Sequence, residues 1–143
     1  FDYADGEVTA SYGTATPKKI EDTLYTSQDK TDDLIPSGKD VGDVKIKGLK
    51  TLKKEIIKNK ANNLLAPTDW YVLKATDVED YSVPSAISTF RTNVRTRSNE
   101  METAIDNASN IDALATLYTY VNTGTEENPV MERPLGEFPI LEI

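Results

Sequence analysis

The chain has 143 residues and a formal net charge of −8, and 38% of its residues are hydrophobic. This length suits one domain with a single small core. The absence of cysteine and histidine excludes disulfide bonds, zinc sites built from those residues, and Ser-His-Asp catalysis. The acidic balance argues against nucleic acid as a partner, since phosphate binding needs a dominant basic surface.

No apolar run approaches the roughly 20 residues that a transmembrane helix needs, so we expect no membrane partner. The start shows no basic and apolar leader of the kind that directs secretion. Because the first residue is Phe1 rather than Met, we expect the natural start to lie upstream of it.

Charge is distributed unevenly along the chain. Residues 1–43 carry a net charge of −6, residues 45–60 a net charge of +6, and residues 61–143 a net charge of −8. The lysine-rich segment is either a docking face for an acidic partner or an exposed helix face balanced by the acidic segments around it. Lysine is a good helix former at exposed positions, which favours the second interpretation. Under the first, the candidate interface residues are Lys50, Lys53 and Lys54.

Residues 1–35 lack helical periodicity, and residues 1–43 as a whole predict an extended or β region followed by a linker. In EVTASYG, Val8, Ala10 and Tyr12 alternate with polar residues, which is typical of a short strand. The segment DTLYTSQD repeats this pattern weakly. Residues 29–43 are rich in Asp, Gly and Ser and predict a loop.

Residues 44–121 carry the helical signal. Apolar residues at spacings of three, four and seven predict a first helix that begins near Lys47 or Gly48. It should end before Pro67, because the residue that precedes a proline is disfavoured in the helical conformation. Its predicted apolar stripe consists of Leu49, Leu52, Ile56, Ile57, Ala61, Leu64 and Leu65.

A second helix is predicted from Pro84, a residue that suits the first helical position. Arg97 interrupts its apolar stripe, and we expect a buried stem whose guanidinium reaches solvent or a carboxylate. Asn107 and Asn110 in NASN end this helix and cap a third, and so short a turn predicts an antiparallel helical hairpin. The apolar positions are Ile87, Phe90, Val94, Met101, Ala104, Ile105 and Ala108 in the second helix, and Ile111, Leu114, Leu117, Tyr118 and Val121 in the third.

The junction NNLLAPTDWYV holds Trp70, the only tryptophan of the chain. A turn at residues 67–69 should return Trp70 and Tyr71 over the end of the first helix, which makes Trp70 a buried fold anchor. Alternatively, Thr68 and Asp69 cap a further helical turn. For WYVLKATDVEDYSV, a strand and a loop compete. If Trp70 is exposed instead, it and Tyr71 are interface candidates.

Residues 122–143 contain three prolines and show no helical period, which predicts an extended C-terminal arm. Its apolar residues Phe138, Ile140 and Leu141 are interface candidates, because they need a partner to cover them. The sequence as a whole therefore predicts an α+β protein. It has an extended or β region at 1–43, a helical body of about three helices at 44–121, and an arm at 122–143.

Two patterns in the sequence have residue types that could form a chemical site. The oxygen-bearing residues between Asp29 and Asp40 have spacings similar to a calcium loop, but Leu34 occupies the position where that loop requires glycine. Glu100 with Asp106, or Glu126 with Glu127, could form a carboxylate pair, but nothing places either pair in the apolar pocket that a general acid needs. We therefore predict no catalytic, metal or cofactor site and no small-molecule substrate.

Three segments, taken in their order along the chain, resemble a family of small proteins from marine tailed bacteriophages, notably cyanophage-like myoviruses. The segments are GDVKIKGLKTLKKEIIKNKANNLLAPTDWYV, PSAISTFRTNVRTRSNEMETAIDNASNIDALATLY and VMERPLGEFPILEI. The LLAPTDW element also resembles the Leu-Leu and Thr-Asp-Trp signature of phage tail assembly chaperone domains.

The resemblance implies a virion structural protein of the tail or tail fibre, which would act by protein–protein attachment and carry no catalytic residues. Its partners would be other tail or fibre proteins, or copies of itself, with the two terminal arms along neighbouring subunits. Its location would be the virion tail, and the host cytoplasm during assembly. The alternative is a tail assembly chaperone that is absent from the mature particle, and a third class is a carboxylate hydrolase acting on host glycans.

Overall fold

The computed structural model describes residues 17–141 in full, and residues 2–4 and 7–9 by their backbone. It shows the α+β fold that the sequence predicts. The helices are α1 (Ser27–Thr31), α2 (Leu49–Leu65), α3 (Asp69–Asp77), α4 (Ser85–Asn107) and α5 (Ile111–Tyr118), with a 3-10 turn at Ala66–Thr68. The strands are β1 (Asp2–Ala4), β2 (Glu7–Thr9), β3 (Thr23–Leu24), β4 (Val44–Ile46), β5 (Val121–Asn122) and β6 (Met131–Glu132).

The strands form three separate antiparallel pairs, β1 with β2, β3 with β4, and β5 with β6. Strand β2 lies in the segment EVTASYG, for which a strand is predicted. The alternation proposed there rests on side chains that lie outside the described residues. Pairs this short have little stability alone.

The segment between β3 and β4 is more ordered than the loop predicted for residues 29–43. The first three residues of the predicted loop, residues 29–31, belong to α1, and this helix begins with a capping box. In this motif the Thr26 hydroxyl accepts from the Asp29 N–H, and the Asp29 carboxylate accepts from the Thr26 N–H at 2.8 Å. The predicted loop therefore begins only after α1.

Backbone contacts connect residues 17–43 to the start of α2, across the predicted boundary at residue 43. The Gly48 N–H donates to the Asp22 carboxylate at 2.6 Å, and the Leu49 N–H donates to the Lys19 carbonyl at 2.9 Å. A Cβ at Gly48 would lie 2.3 Å from the Glu21 carbonyl carbon, so only glycine permits this approach. Ile20 packs against the core from this segment.

Helix α2 has the predicted bounds, with Gly48 as its N-cap. Ile57 and Ala61 are buried on the predicted stripe, but Ile56 is 58% exposed. Ile56 and Ile57 are neighbours and therefore point about 100° apart on a helix. Ile57 lies toward the core and Ile56 lies toward solvent, so the prediction that Ile56 belongs to the buried stripe is wrong.

The segment after Pro67 is helical, whereas the sequence left a strand and a loop in competition. Helix α3 begins at Asp69, as the capping alternative proposes, directly after the 3-10 turn. Thr68 does not cap it with its side chain, because the Thr68 hydroxyl donates back to the Leu65 carbonyl at 2.7 Å. The chain therefore passes from α2 into α3 without an extended segment.

Helix α4 follows the prediction closely, whereas the predicted stripe of α5 holds only in part, because Ile111 is 50% exposed. Pro84, which the sequence predicts at the first helical position of α4, is its N-cap, so the helix begins one residue later. The Asn110 side chain caps α5 by accepting from the Ala113 N–H at 2.8 Å. Helix α5 ends at Tyr118, so the prediction that Val121 belongs to its stripe is wrong. Val121 lies in β5 and is 50% exposed.

The core lies mainly between α2 and α4, with α5 in a smaller contact against α4. Helix α4 is the central element, because one side of it is buried along most of its length. Two residues of the C-terminal segment complete the core. Its buried members are Ile57, Ala61, Phe90, Val94, Met101, Ile105, Ala108, Leu114, Leu135 and Phe138.

Candidate interaction surfaces

The lysine-rich segment is largely neutralised within the chain. Five of its seven lysines form ion pairs and the other two lie over aromatic rings, so each has an intramolecular partner. The ion pairs are Lys45–Asp29 at 2.5 Å, Lys47–Glu55, Lys50–Glu21 at 2.5 Å, Lys54–Asp106 at 2.7 Å and Lys58–Glu102 at 3.3 Å. Lys53 lies 4.8 Å from the centre of the Tyr118 ring, and Lys60 lies 5.6 Å from that of Phe138.

These contacts favour the interpretation of a balanced helix face over that of a docking face. The side chains of Lys50 and Lys54 are only 13% and 28% exposed. The hydrogen bond to Asp106 also raises the pKa of Lys54. Lys50, Lys53 and Lys54 therefore connect α2 to its neighbours, and binding an acidic partner would require these contacts to be exchanged.

The residues of the calcium-like pattern have separate structural roles. The Asp29 carboxylate pairs with Lys45 and accepts hydrogen bonds from Thr26, and these bonds lower its pKa to about 2. The Thr31 hydroxyl donates to the Ser27 carbonyl, and Asp40 pairs with Lys30 at 3.0 Å. Within the described part of the chain, no three acidic residues converge as metal ligands would.

Neither proposed carboxylate pair forms an enclosed site. Glu100 pairs with Arg97 at 2.8 Å, and Asp106 pairs with Lys54. Glu126 and Glu127 are exposed in the connection between β5 and β6. A general acid requires an apolar surrounding that keeps its proton, and these positions do not provide one.

Trp70 is not the buried anchor that the sequence predicts. It is 50% exposed, and its ring lies against that of Tyr71 with the two centroids 3.9 Å apart. The physical reason is that residues 69–77 are helical. Tyr71 and Ala75, four residues apart, lie toward the body and are half-buried, whereas Trp70 and Leu73 lie on the exposed side.

Helix α3 as a whole has no buried residue. Leu73 is 64% exposed and Val72 is 41% exposed, so most of the apolar surface of α3 faces outward. The alternative prediction for Trp70, that an exposed ring serves an interface, agrees with this geometry. Tyr71 is the partly buried member of the pair.

Arg91 of α4 fixes the junction between α2 and α3. Its guanidinium lies 3.1 Å from the Leu65 carbonyl, 2.5 Å from the Thr68 hydroxyl and 2.8 Å from the Asp69 carboxylate. The Arg91 side chain is only 11% exposed, and Thr68 is 2% exposed. Sequence reasoning missed this residue, because nothing local indicates that Arg91 faces a junction more than 20 positions earlier.

The C-terminal segment packs on the body of its own chain. Phe138, a predicted interface residue, is only 8% exposed, and the neighbouring Leu135 is 2% exposed. Phe138 is thus part of the core and is not available to a partner. Leu141 is half-buried against the core, whereas Ile140 is 85% exposed. Of the three candidates in this segment, only Ile140 is freely accessible.

Arg97 holds this segment in place. Its guanidinium donates to the Leu135 carbonyl at 2.8 Å, to the Glu137 carbonyl at 3.1 Å and to the Glu100 carboxylate at 2.8 Å. The expectation that its guanidinium reaches a carboxylate is correct, but the two carbonyl contacts were not foreseen. Gly136 has a φ of +70°, and a Cβ there would lie 1.5 Å from the Arg97 Nη2 atom. Glycine is therefore needed both for the backbone conformation and for the approach of Arg97.

A second contact at the same segment joins Tyr120 to Glu137. The Tyr120 hydroxyl donates to the Glu137 carboxylate at 2.5 Å, which lowers the pKa of Glu137 and raises the pKa of Tyr120. Arg133 also pairs with Glu137, at 2.7 Å. The contact with Tyr120 fastens residues 133–138 to the connection between α5 and β5.

Among residues 17–141 and the two N-terminal strands, no helix is long and apolar enough to cross a membrane. No family model, curated protein or solved structure matches the chain.

Proposed function

We propose that the chain is a non-enzymatic structural component of a phage tail or tail fibre and that it acts by attaching to other tail proteins. The resemblance of three ordered segments to marine tailed-phage proteins supports the phage assignment. The structural observation that carries the attachment role is α3, a helix with an outward apolar side and no buried residue.

An exposed cluster of large apolar residues on a rigid element is typical of a protein–protein interface. Tryptophan is enriched among the residues that contribute most to binding. The contacts of Arg91 hold α3 in position before any partner arrives. Such preorganisation lowers the entropy cost of association.

The proposed role of the arms becomes narrower. Residues 133–138 are fixed to the chain's own body, so the C-terminal arm can reach a neighbouring subunit through its exposed apolar residues Val130, Met131 and Ile140. Of the N-terminal arm proposed at residues 1–43, the part from residue 17 onward is joined to the start of α2, which reduces that arm as well. Attachment through α3 then becomes the principal contact and attachment through the arms a secondary one.

The alternative is a tail assembly chaperone, which would act in the host cytoplasm and leave before the particle is complete. One observation favours it. The LLAPTDW element spans the end of α2, the 3-10 turn and the start of α3, so its tryptophan lies on the exposed apolar side of α3. A chaperone needs such a surface to cover an apolar segment of an unassembled protein.

Quantitative mass spectrometry of purified mature particles, compared with the infected-cell lysate, tests this proposal. The major capsid protein of the same particles serves as the internal standard for copy number. We expect a fixed copy number per particle. Abundance in the lysate together with absence from the particle would refute the structural role and support the chaperone.

A further inference from the structure

The exposed side of α3 carries a pattern of apolar and acidic residues. Trp70, Leu73 and Asp77 follow one another at spacings of three and four, so they share one face of the helix. Trp70 is 50% exposed and Leu73 is 64% exposed, and Val78 extends the apolar surface at 45% exposure. We call this face, with the acidic residues that follow it, the α3 face.

Three acidic residues form the end of the α3 face. Asp77, Glu79 and Asp80 are exposed, and within the described part of the chain none of them forms an ion pair. Asp69 differs, because Arg91 already neutralises it. These three residues are therefore the negative charges of the α3 face that are open to a partner.

The one cation on α3 does not balance these charges by ion pairing. Lys74 lies 4.4 Å from the centre of the Tyr81 ring and 5.8 Å from that of Trp70. This position places the Lys74 ammonium close to both aromatic rings, where a cation–π attraction holds it. The α3 face thus combines an apolar centre with an acidic margin.

We propose that the α3 face binds a basic amphipathic helix of another protein; this inference rests on the attachment role proposed above and specifies its partner. The apolar side of such a helix would cover Trp70 and Leu73, and its lysines or arginines would face Asp77, Glu79 and Asp80. Helix-in-groove recognition uses apolar anchors at these helical spacings. Complementary charge adds specificity and accelerates association.

The charge distribution disfavours a second copy of this chain as the occupant. The only strongly basic segment of the sequence has its seven lysines engaged within the chain. The net charge of −8 makes two copies repel each other. An anionic lipid surface is disfavoured for the same reason, since its headgroups would meet the acidic margin.

The test uses the fluorescence of Trp70, which is the only tryptophan of the chain and belongs to the apolar part of the α3 face. The probe is a synthetic peptide of about 18 leucine and lysine residues patterned as an amphipathic helix. One control peptide has the same composition in scrambled order, and a second has glutamate in place of lysine. We expect a saturable blue shift of Trp70 emission with the amphipathic lysine peptide alone.

Two variants locate the binding site. Leu73→Ala should weaken binding of the lysine peptide by roughly tenfold, as expected for the loss of a central apolar contact. Asp77→Asn combined with Glu79→Gln should weaken binding and reduce its dependence on salt. The matched control is Ile111→Ala, because Ile111 is 50% exposed and follows the far end of α4, about 24 Å from Arg91 by helix rise. It should bind as the unaltered chain does.

Three kinds of result would overturn the inference. Equal binding of the scrambled or glutamate peptide would show that helical pattern or charge is irrelevant. A blue shift that depends on protein concentration without peptide would assign the face to self-association. A blue shift that appears only when phosphatidylcholine vesicles are added in place of the peptide would assign it to a membrane.

The peptide experiment and the particle experiment together separate the inference from the proposed function. If the chain has a fixed copy number in particles but the peptide fails to bind, the inference fails and the proposed function stands. If the peptide binds but the chain is absent from particles, the structural role fails and the inference about the face stands.

Discussion

Trp70 shows how one backbone conformation decides the role of a side chain. An extended segment after Pro67 would have returned the ring to the core, but the helical one leaves it half exposed. We therefore expect Trp70→Ala to lower the free energy of unfolding by less than about 1 kcal/mol. Phe90→Ala, at a buried position of α4, should cost about 3–5 kcal/mol.

Urea denaturation followed by far-ultraviolet circular dichroism measures both variants, since that signal does not depend on the tryptophan. A loss for Trp70→Ala similar to that for Phe90→Ala would mean that the ring is buried in solution. It would contradict the exposed position of α3 and remove the basis for an interface there.

Asp29 should make stability depend on pH in the acid range. Its pKa is lowered from 3.8 to about 2, chiefly by the hydrogen bond from Lys45. A carboxyl group with a lowered folded-state pKa stabilises the fold fully above its unfolded pKa, and this contribution is lost as the pH falls toward the folded pKa. We expect Asp29→Asn to lose less stability than the unaltered chain between about pH 5 and pH 2.

Denaturation midpoints across that pH range provide the measurement. Asp33→Asn is a suitable control, since Asp33 is exposed and forms no ion pair within the described part of the chain. An identical pH profile for Asp29→Asn and the unaltered chain would show that the pair with Lys45 does not persist in solution.

At the scale of the element, the C-terminal segment depends on the pairing of Gly136 with Arg97. Gly136→Ala should cost about 1–2 kcal/mol for the positive φ, and roughly 1–3 kcal/mol more because the Cβ displaces a charged donor from two carbonyls. Gly38→Ala is the matched control. Gly38 has a φ of +83°, but no atom lies within 4 Å of its added Cβ, so only the first cost applies.

The difference between the two unfolding free energies isolates the contribution of Arg97. Limited proteolysis adds a local measurement, because only Gly136→Ala should expose residues 133–141 to cleavage. Equal losses for both variants would mean that Arg97 does not hold the segment.

The sequence predicts elements well where a local pattern determines them. The stripes of α2 and α4, the proline at the start of α4 and the Asn110 cap are such cases, and the structure agrees with them. It predicts less well where distant residues decide. Arg91 and Arg97 act on segments more than 20 positions away, and residues 69–77 are helical after a 3-10 turn that passes through the proline.

The interface candidates likewise include some features that the sequence predicts and others that it does not. Exposure of Trp70 and burial of Phe138 depend on which element each residue enters and what packs over it, so composition alone cannot rank the two as interface residues. The lysine segment was identifiable as a charged helix face. Its acidic partners, from Glu21 to Asp106, become visible only when the chain is folded.

At the scale of the whole molecule, acidic and basic segments that are far apart in sequence neutralise each other around α2. Glu21 and Asp29 come from the N-terminal region, and Glu102 and Asp106 come from the last turns of α4. The lysine segment therefore helps to assemble the body, and the surplus negative charge lies elsewhere. The ion pairs that stabilise the body around α2 are therefore separate from the α3 face.

The stability of the body decides whether the C-terminal segment is an arm that can detach from it. A chain that ends at residue 130 loses Leu135 and Phe138 from the core, and each such loss costs about 2–5 kcal/mol. The total stability of a domain this size is about 5–15 kcal/mol. We therefore expect the truncated chain to lack most of its stability, whereas Ile140→Ala should change it by less than about 0.5 kcal/mol.

Thermal unfolding followed by circular dichroism distinguishes the two views of the segment. Loss of a cooperative transition on truncation, together with a normal transition for Ile140→Ala, would make residues 131–139 part of the body. A normal transition for the truncated chain would mean that these residues detach without cost and are free to lie along a neighbouring subunit. In that case the arm, and not α3, would be the principal contact with other tail proteins.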